Sequence, residues 1–355
     1  MSDSKVLVGM SGGVDSTVAA HLLKEGGASV KGITFELFTP PDNEDGAGSR
    51  HAGGPVEWAR ESCGRLGIEH HLLDATEEFK REVVDPFVAE YRSGRTPNPC
   101  VICNEKVKFP LLAEAARRLG CELIATGHYA RIARERDGRL LLHRAADLAK
   151  DQSYFLYRVP IKLLDMTLFP LGEITKTEAV DLASRLDLID PRVRESQDTC
   201  FLASGGLHRF LGLCGVDRPG DVIGPGGRFL GRHKGVSYYT IGQRKGLGIS
   251  AKSPLYVSSI DARKNIIGLG PEESIYARRI ICRGVKMRTR RLPEDLVAKI
   301  RSGHEPTPVE SVERSEGRMT VTFVSPQRAV TPGQSLVLYR GESVVGGGFI
   351  ERAIG

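Results

Sequence analysis

Three stretches of the 355-residue sequence carry residue types and spacings suited to chemistry. The first is Gly9-Met10-Ser11-Gly12-Gly13-Val14-Asp15-Ser16, directly after the apolar run Val6-Leu7-Val8. Val18, Ala19, Leu22 and Leu23 then recur at helical spacing, so the stretch is a turn from strand into helix. Such a turn aims unpaired N–H groups along a helix axis at an anion, and Gly12 and Gly13 let the backbone bend and approach a phosphate. Ser11 and Ser16 add hydroxyl donors, and Asp15 is placed to help hold a metal ion that arrives with a nucleotide. No Gly-Lys-Ser/Thr follows, so this is not a Walker loop, and it does not fit Gly-x-Gly-x-x-Gly. The second stretch is Arg95-Thr-Pro-Asn-Pro-Cys100-Val-Ile-Cys103-Asn104, stiffened by two prolines. Lys106 and Lys108 follow, and positive charge lowers a thiol pKa, so thiolate-rich cysteines are expected. The third, Glu195-Ser-Gln-Asp198-Thr-Cys200, sets another thiol beside a polar turn.

These groups need a scaffold, and the pattern predicts a parallel α/β layer. Ala28–Phe35 reads as a second strand, Val56–Leu66 as a helix and Ile68–Leu73 as a third strand. The run from Thr39 to Pro55, rich in Pro, Gly, Asp and Asn, is a connection close to the ligand. His70 and His71 are strand neighbours that face opposite ways, which favours a structural role over a shared metal. Thr76–Tyr91 reads as one amphipathic helix and Leu111–Leu119 as another. The strand Glu122–Thr126 ends at Gly127-His128-Tyr129, and strand carboxyl ends are where open α/β sheets bind ligands, which sets Gly127 and His128 beside a nucleotide. Leu140–His143 reads as a strand. Asp147–Tyr157, mixed polar and aromatic, is either a solvated loop entering a helix or a surface for phosphates and bases. Lys176–Leu186 is helical.

Beyond Ala203 glycine becomes frequent, and Gly235–Thr240, Leu255–Ile260 and Asn265–Leu269 read as antiparallel strands. Between them Gly242–Gly248 carries Arg244 and Lys245, suited to following a phosphate backbone or to a solvated loop. From Ile280 to Gly355, with strands at Met319–Val324 and Ser335–Tyr339, the pattern is that of a small β-barrel. Arg278, Arg279, Arg283, Lys286, Arg288, Arg290 and Arg291 crowd its entrance. The composition, 40% hydrophobic and 26% charged with net charge +6, is that of a globular and mildly basic protein. Seven cysteines, an odd number, argue for reduced thiols over a secreted disulfide framework, with Cys63, Cys121, Cys214 and Cys282 as packing residues. The polar start and the lack of a run of about 18 apolar residues predict a cytoplasmic protein with no membrane partner.

Taken in order, the motifs resemble those of the bacterial tRNA-specific 2-thiouridylases, a family of PP-loop ATP pyrophosphatases. They are the Ser-Gly-Gly-Val-Asp-Ser turn, Arg95-Thr-Pro-Asn-Pro with Cys103-Asn104, Ala125-Thr-Gly-His-Tyr129, Lys150-Asp-Gln-Ser-Tyr-Phe-Leu-Tyr157, Cys200-Phe201, Gly242-Gln-Arg-Lys-Gly-Leu-Gly248 and Thr331-Pro-Gly-Gln-Ser335. The resemblance covers nearly the whole chain. It implies a PP-loop, Rossmann-like α/β domain over 1–204 that binds ATP and catalyses, a mostly β tRNA-binding domain over 205–279, and a C-terminal β-barrel over 280–355.

It further implies that ATP with Mg²⁺ binds along Gly9 to Ser16, with Phe35 and Gly127 completing the pocket. The C2 oxygen of a wobble uridine is then adenylated, in tRNAs of the Lys, Glu and Gln type. Cys200 would carry persulfide sulfur from a cysteine desulfurase or relay protein, and Cys103 would be the catalytic thiol, with a disulfide between them as one outcome. Asn98, Pro99 and Cys100 would face the base, while His128, Lys150, Asp151, Gln152, Arg301, Ser302 and Gln334 would touch tRNA. Many relatives carry Asp where this chain has Cys100, and the acid/base role credited to that Asp is left open here. An iron-sulfur cluster on Cys100, Cys103 and Cys200 is the alternative sulfur chemistry. A PP-loop ligase that uses an amine, needing neither Cys103 nor Cys200, and a nucleotide-holding RNA-binding protein are the rival functions.

Overall fold

The computed structural model describes residues 3–38, 54–135, 138–189, 200–202, 206–216 and 218–355. The expected connection near the ligand, apart from Gly54 and Pro55, and residues 195–199 ahead of Cys200 lie outside the described residues. The chain forms two units: residues 1–83, 100–201 and 342–344 in the first, and 84–99, 202–341 and 345–355 in the second.

In the first unit β1 (Lys5–Gly9), β2 (Ser29–Glu36), β3 (Glu69–Asp74), β4 (Leu123–Thr126) and β7 (Thr167–Leu168) pair in the order β3-β2-β1-β4-β7, all parallel. Val6, Leu7 and Val8 are fully buried, as a parallel strand covered on both faces requires. Helices α1 (Val14–Glu25) and α2 (Pro55–Leu66) follow β1 and β2. Strand order reverses between β1 and β4, so the turn after β1 lies at the switch point where such sheets bind ligands. The hairpin of β5 (Ala130–Arg134) and β6 (Leu140–Arg144) follows β4, and within this unit His143 pairs with Ser343.

The expected single helix over Thr76–Tyr91 is three pieces: Thr76–Phe79, a π-turn at Lys80–Val84 and Asp85–Arg92. A second π-turn, Asn104–Lys108, lies between the helical turn Pro99–Cys103 and helix α3 (Phe109–Arg118). The cause is the same in both places. Pro86 and Pro110 stand two residues past the π-turns, where each lacks the N–H for the carbonyl four residues back and its ring crowds that carbonyl, so the helix widens.

The second unit holds two all-β layers. β8 (Gly220–Ile223), β9 (Phe229–His233), β10 (Tyr256–Asp261) and β11 (Ile266–Gly270) form a sheet in the order β10-β11-β8-β9. The other layer is β12 (Tyr276–Met287), β13 (Val297–Lys299), β14 (Thr307–Ser315), β15 (Arg318–Arg328), β16 (Ser335–Arg340) and β17 (Ser343–Ile354). These close into a six-stranded barrel through the β12–β17 pairing. Its interior is filled by Ile280, Cys282, Met319, Val321, Phe323, Leu336, Leu338 and Ile350.

A further expectation is corrected. Gly235–Thr240 is not a strand: Val236–Tyr238 is a 3₁₀ turn, because Val236 and Tyr239, three apart, both face the core. Of the two readings of Asp147–Tyr157, the solvated loop entering a helix holds, since residues 148–150 are exposed and Ser153–Leu156 is helical; the surface for bases does not, since Tyr154 and Leu156 are fully buried and Tyr157 is 1% exposed.

Candidate active site

The first part of the site is the turn between β1 and α1. Gly13 is the N-cap of α1 and has no side chain to cap it, so the first-turn N–H groups are left for an anion. The turn is fixed by the Ser16 hydroxyl, which donates to the Gly13 carbonyl at 3.1 Å and accepts from the Ser11 N–H at 3.1 Å. Ser11 Oγ lies 3.1 Å from Ser16 Oγ and Ser11 is exposed, so its hydroxyl is presented outward.

Gly12 has φ +75°, and a Cβ there would meet Trp58, Ala59 and Pro55 at 2.7–2.9 Å. Gly13 is open above, with only Ser11 Oγ within reach at 3.7 Å. One glycine thus serves the bend and the other leaves room. Gly127, at the end of β4, packs against the first turn of α1, where a Cβ would come within 2.7 Å of the Asp15 and Ser16 backbone. Gly9, Met10, Val14 and Phe35 border the same end of the sheet. This cradle fits the triphosphate of a nucleotide. The fit of Asp15 to a metal is poorer: its Oδ1 already accepts from Tyr129 Oη at 2.9 Å and from Lys176 Nζ at 2.7 Å.

The second part is the thiol group. Cys100 and Cys103, three apart on the turn Pro99–Cys103, share a helical face. Cys100 and Cys200 are exposed and Cys103 is buried. Cys200 lies within electrostatic reach of both: its charge raises the thiol pKa of each, while Lys108 lowers all three. The expected thiolate character is overturned. Desolvation by the surrounding protein outweighs the lysine, raising Cys100 and Cys200 and pushing Cys103 up to about 12, so the resting groups are thiols. No disulfide joins any of the seven cysteines, all of which are described. Cys63, Cys121 and Cys282 are buried as expected, whereas Cys214 is half-buried. Among the described residues no three His, Cys, Asp or Glu side chains come together to hold a metal ion, so Cys100, Cys103 and Cys200 do not form a cluster site as they stand.

Around the thiols, the Lys150–Tyr157 motif clamps the π-turn. Asn104 Nδ2 donates to the Phe155 carbonyl at 3.2 Å, and the Arg158 guanidinium grips the Glu105 carboxylate, with Nη2 to Oε1 at 3.1 Å and both side chains almost buried. Asp151 and Gln152 point inward. The Asp151 carboxylate accepts from Ala145 N, Ser153 N and Ser153 Oγ, and Gln152 Oε1 accepts from Tyr129 N. Lys150 is exposed. His128 is half-buried, 2.7 Å from Thr126 Oγ1 and stacked on Phe109. Burial, helped by Lys108, holds its pKa well below the usual value, so it is neutral.

Asn98 and Pro99 belong to the second unit, where the Thr331–Ser335 turn holds their segment. Gln334 Nε2 donates to the Thr96 carbonyl at 2.8 Å, Thr96 N donates to the Pro332 carbonyl at 2.9 Å, and Gly333 lies flat against Thr96. Arg301 donates to the Ala329 carbonyl at 2.9 Å and to Thr331 Oγ1, and Ser302 beside it is half-buried. Within the basic run, Arg278 pairs with Glu310 and Arg283 with Glu90. Sequence reasoning missed Lys176, Tyr129, Glu105 and Arg158. Lys176 opens a helix behind Thr175, a cap recognisable from its Glu three residues on, but nothing local points it at Asp15.

Comparison with known proteins matches three family descriptions along the chain: "tRNA methyl transferase HUP domain" over residues 4–204, "tRNA methyl transferase PRC-barrel domain" over 208–271 and "Aminomethyltransferase beta-barrel domain" over 279–350. A tRNA-specific 2-thiouridylase MnmA of Pelobacter propionicus is 44% identical over 355 residues, covering 99% of this chain and 98% of that protein. The protein of the same name from Clostridium perfringens is 41% identical, with 99% of each chain covered. Among solved structures, the U34-tRNA thiolase NcsA of Methanococcus maripaludis is 20% identical over 57% of this chain and 63% of its own, with a TM-score of 0.34. No helix among the described residues is long and apolar enough to cross a membrane.

Proposed function

The chain belongs to the tRNA-specific 2-thiouridylase family, and from that membership we propose that it replaces the C2 oxygen of a tRNA uridine with sulfur at the expense of ATP. It is thus a tRNA uridine 2-sulfurtransferase. The observation that carries the reading is the 44% identity to a tRNA-specific 2-thiouridylase over 99% of this chain, and Cys200 lies within electrostatic reach of Cys103, remote from it in sequence.

A urea-like carbonyl oxygen leaves poorly. Attack of that oxygen on the α-phosphorus of ATP forms a C2–O–AMP bond and expels pyrophosphate, after which AMP is the leaving group. The helix N-terminus at Gly13 to Ser16, with the Ser11 hydroxyl, binds the phosphates, and Phe35 and Gly127 border the nucleotide. Mg²⁺, arriving with ATP, would neutralise phosphate charge. Cys200 carries a persulfide. Its terminal sulfur attacks C2, AMP departs, and the Cys103 thiolate attacks Cys200 Sγ, which breaks the S–S bond, leaves sulfur on the base and forms a Cys103–Cys200 disulfide. A cellular dithiol must then reduce that disulfide. Asn98, Pro99 and Cys100 are assigned to the target base, and His128, Lys150, Asp151, Gln152, Arg301, Ser302 and Gln334 to the tRNA surface. Residues 1–204 are assigned to catalysis, 205–279 to tRNA and 280–355 to the barrel. The inward bonds of Asp151, Gln152, Arg301 and Gln334 support a share of this role through the backbone they shape.

The test is mass spectrometry of the wobble uridine after incubation with ATP, tRNA and a persulfide source. A gain of one sulfur for one oxygen, lost in Cys200→Ser while pyrophosphate is still released, is the expected result. Full product formation by Cys200→Ser would overturn the reading in favour of a ligase that uses an amine.

A further inference from the structure

The helical piece Asp85–Arg92 ends just ahead of the segment Arg95–Pro99, and Glu90 joins the two twice over, all within the second unit. Gly94, at φ +70°, turns the chain out of the helix. The Arg95 N–H then donates back to the Glu90 carbonyl at 3.0 Å, and the Gly94 N–H to the Tyr91 carbonyl at 3.0 Å. A Cβ on Gly94 would meet Ile260 Cγ2 at 2.6 Å, so this turn is pressed against β10. The second link is the Glu90 side chain. Arg95 Nε donates to its Oε2 at 2.6 Å and Arg95 Nη2 to its Oε1 at 2.9 Å, while Arg283 Nη2, from β12, donates to Oε1 at 2.9 Å and Oε2 at 3.1 Å. A carboxylate offers about four acceptor sites, and these bonds take them all. The three side chains are half-buried, which shields the group from water.

We infer that Glu90 is a positioning residue for base recognition: its carboxylate, shared between Arg95 and Arg283, ties the segment that faces the target uridine to strand β12 of the barrel. The inference rests on the proposed function in taking Asn98 and Pro99 as groups that face the base. Thr96, next to Arg95, is held by Pro332 and Gln334, and its Oγ1 lies 3.1 Å from Thr240 Oγ1. Pro97 and Pro99 fix their own φ and restrict the residue ahead of each, so the placement of Arg95 and Thr96 is passed on to Asn98. Arg283, which the basic run would assign to phosphate, is committed to this clamp instead.

The clamp is tested first without tRNA, by hydrogen exchange of the whole protein read peptide by peptide in a mass spectrometer. In Glu90→Gln and in Arg283→Met, amide exchange over residues 93–99 should rise roughly tenfold while peptides of β1 and α1 keep their wild-type rates. If Gln at 90 prevents folding, the Arg283 variant carries the test alone. Arg278→Met, which breaks the 2.8 Å pair with Glu310 on the same strand, should leave exchange over 93–99 unchanged. Thiolation is then followed by the mass of the nucleoside. Phosphate contacts supply most of the affinity for tRNA, so a base reader displaced by about 1 Å should lower kcat roughly ten- to a hundredfold and leave tRNA affinity within about twofold of wild type. The double variant should be no slower than Glu90→Gln alone, since Arg283 acts through that carboxylate. Unmoved exchange over 93–99 or an unmoved kcat overturns the inference. So does weaker tRNA binding by Arg283→Met with a salt slope shallower by about 0.7–0.9, the mark of a direct phosphate contact. A wild type that leaves uridine unthiolated counts against the proposed function, whereas the exchange result judges the clamp by itself.

Discussion

Replacing Gly12 by Ala would set a methyl group 2.7 Å from Trp58 Cβ, 2.8 Å from Ala59 N and 2.9 Å from the Pro55 carbonyl. Two of these are backbone atoms at the start of α2 and cannot swing aside. Overpacking of this kind costs about 1–3 kcal/mol, and holding Ala at φ +75° adds about 1–2 kcal/mol. The first unit should lose about 2–5 kcal/mol, which for a unit of this size lowers its melting temperature by roughly 4 °C or more. The same change one residue on should behave differently. Gly13 has φ −91°, and its Cβ would meet only Ser11 Oγ, at 3.7 Å. Gly13→Ala should stay within about 1 kcal/mol of wild-type stability, because Ala restricts the unfolded chain by about 0.4–1 kcal/mol but is a poorer N-cap residue than Gly by a similar amount.

Its methyl group would stand where the phosphates are proposed to bind. A clash of about 1–3 kcal/mol with the ligand corresponds to roughly ten- to a hundredfold weaker ATP binding. Trp58, the one tryptophan of the chain, adjoins Gly12, so its fluorescence during chemical denaturation reports this unit, and calorimetric titration reports ATP. Equal loss of stability in the two variants would refute the division of labour. Wild-type ATP affinity in a stable Gly13→Ala protein would refute the placement of the phosphates.

Removing one partner of the nearly buried Arg158–Glu105 pair strands a charge, so Arg158→Met should cost about 3–5 kcal/mol in chemical denaturation, with partial recovery when Glu105→Gln is added. His128 has its pKa lowered by burial, hence the unfolded chain binds the extra proton: its contribution is present above about pH 6.5 and is lost as pH falls. The fall in melting temperature between pH 7 and pH 5 should therefore be smaller in His128→Gln than in wild type, and parallel curves would remove this role. In the basic run Arg278 and Arg283 are paired, whereas Arg290 and Arg291 are exposed. Joint replacement of Arg290 and Arg291 by Ala should reduce the salt slope of tRNA affinity by about 1.5 to 2, and an unchanged slope would show that phosphates bind elsewhere.

The sequence by itself determined the elements whose causes are local. Apolar runs such as Val6-Leu7-Val8 mark buried parallel strands, and glycine and serine mark the turn into α1, whereas the helical spacing of Thr76–Tyr91 hides the π-turn that the fold places ahead of Pro86. The family motifs, being runs of adjacent residues, are legible for the same reason. What only the tertiary structure decided depends on distance through space. The sequence does not tell that Gly12 is needed for the bend while Gly13 leaves room, because that contrast comes from α2 packing on one and not on the other. Nor does it show that Thr331–Ser335 holds the Arg95–Pro99 segment, or that Lys176 reaches Asp15. The ionisation of the cysteines was misjudged from sequence because a nearby lysine is visible in a string of residues, whereas desolvation is the sum of everything that folds around the thiol. That Cys200 comes within electrostatic reach of Cys103, far back in the sequence, is likewise decided only by the fold.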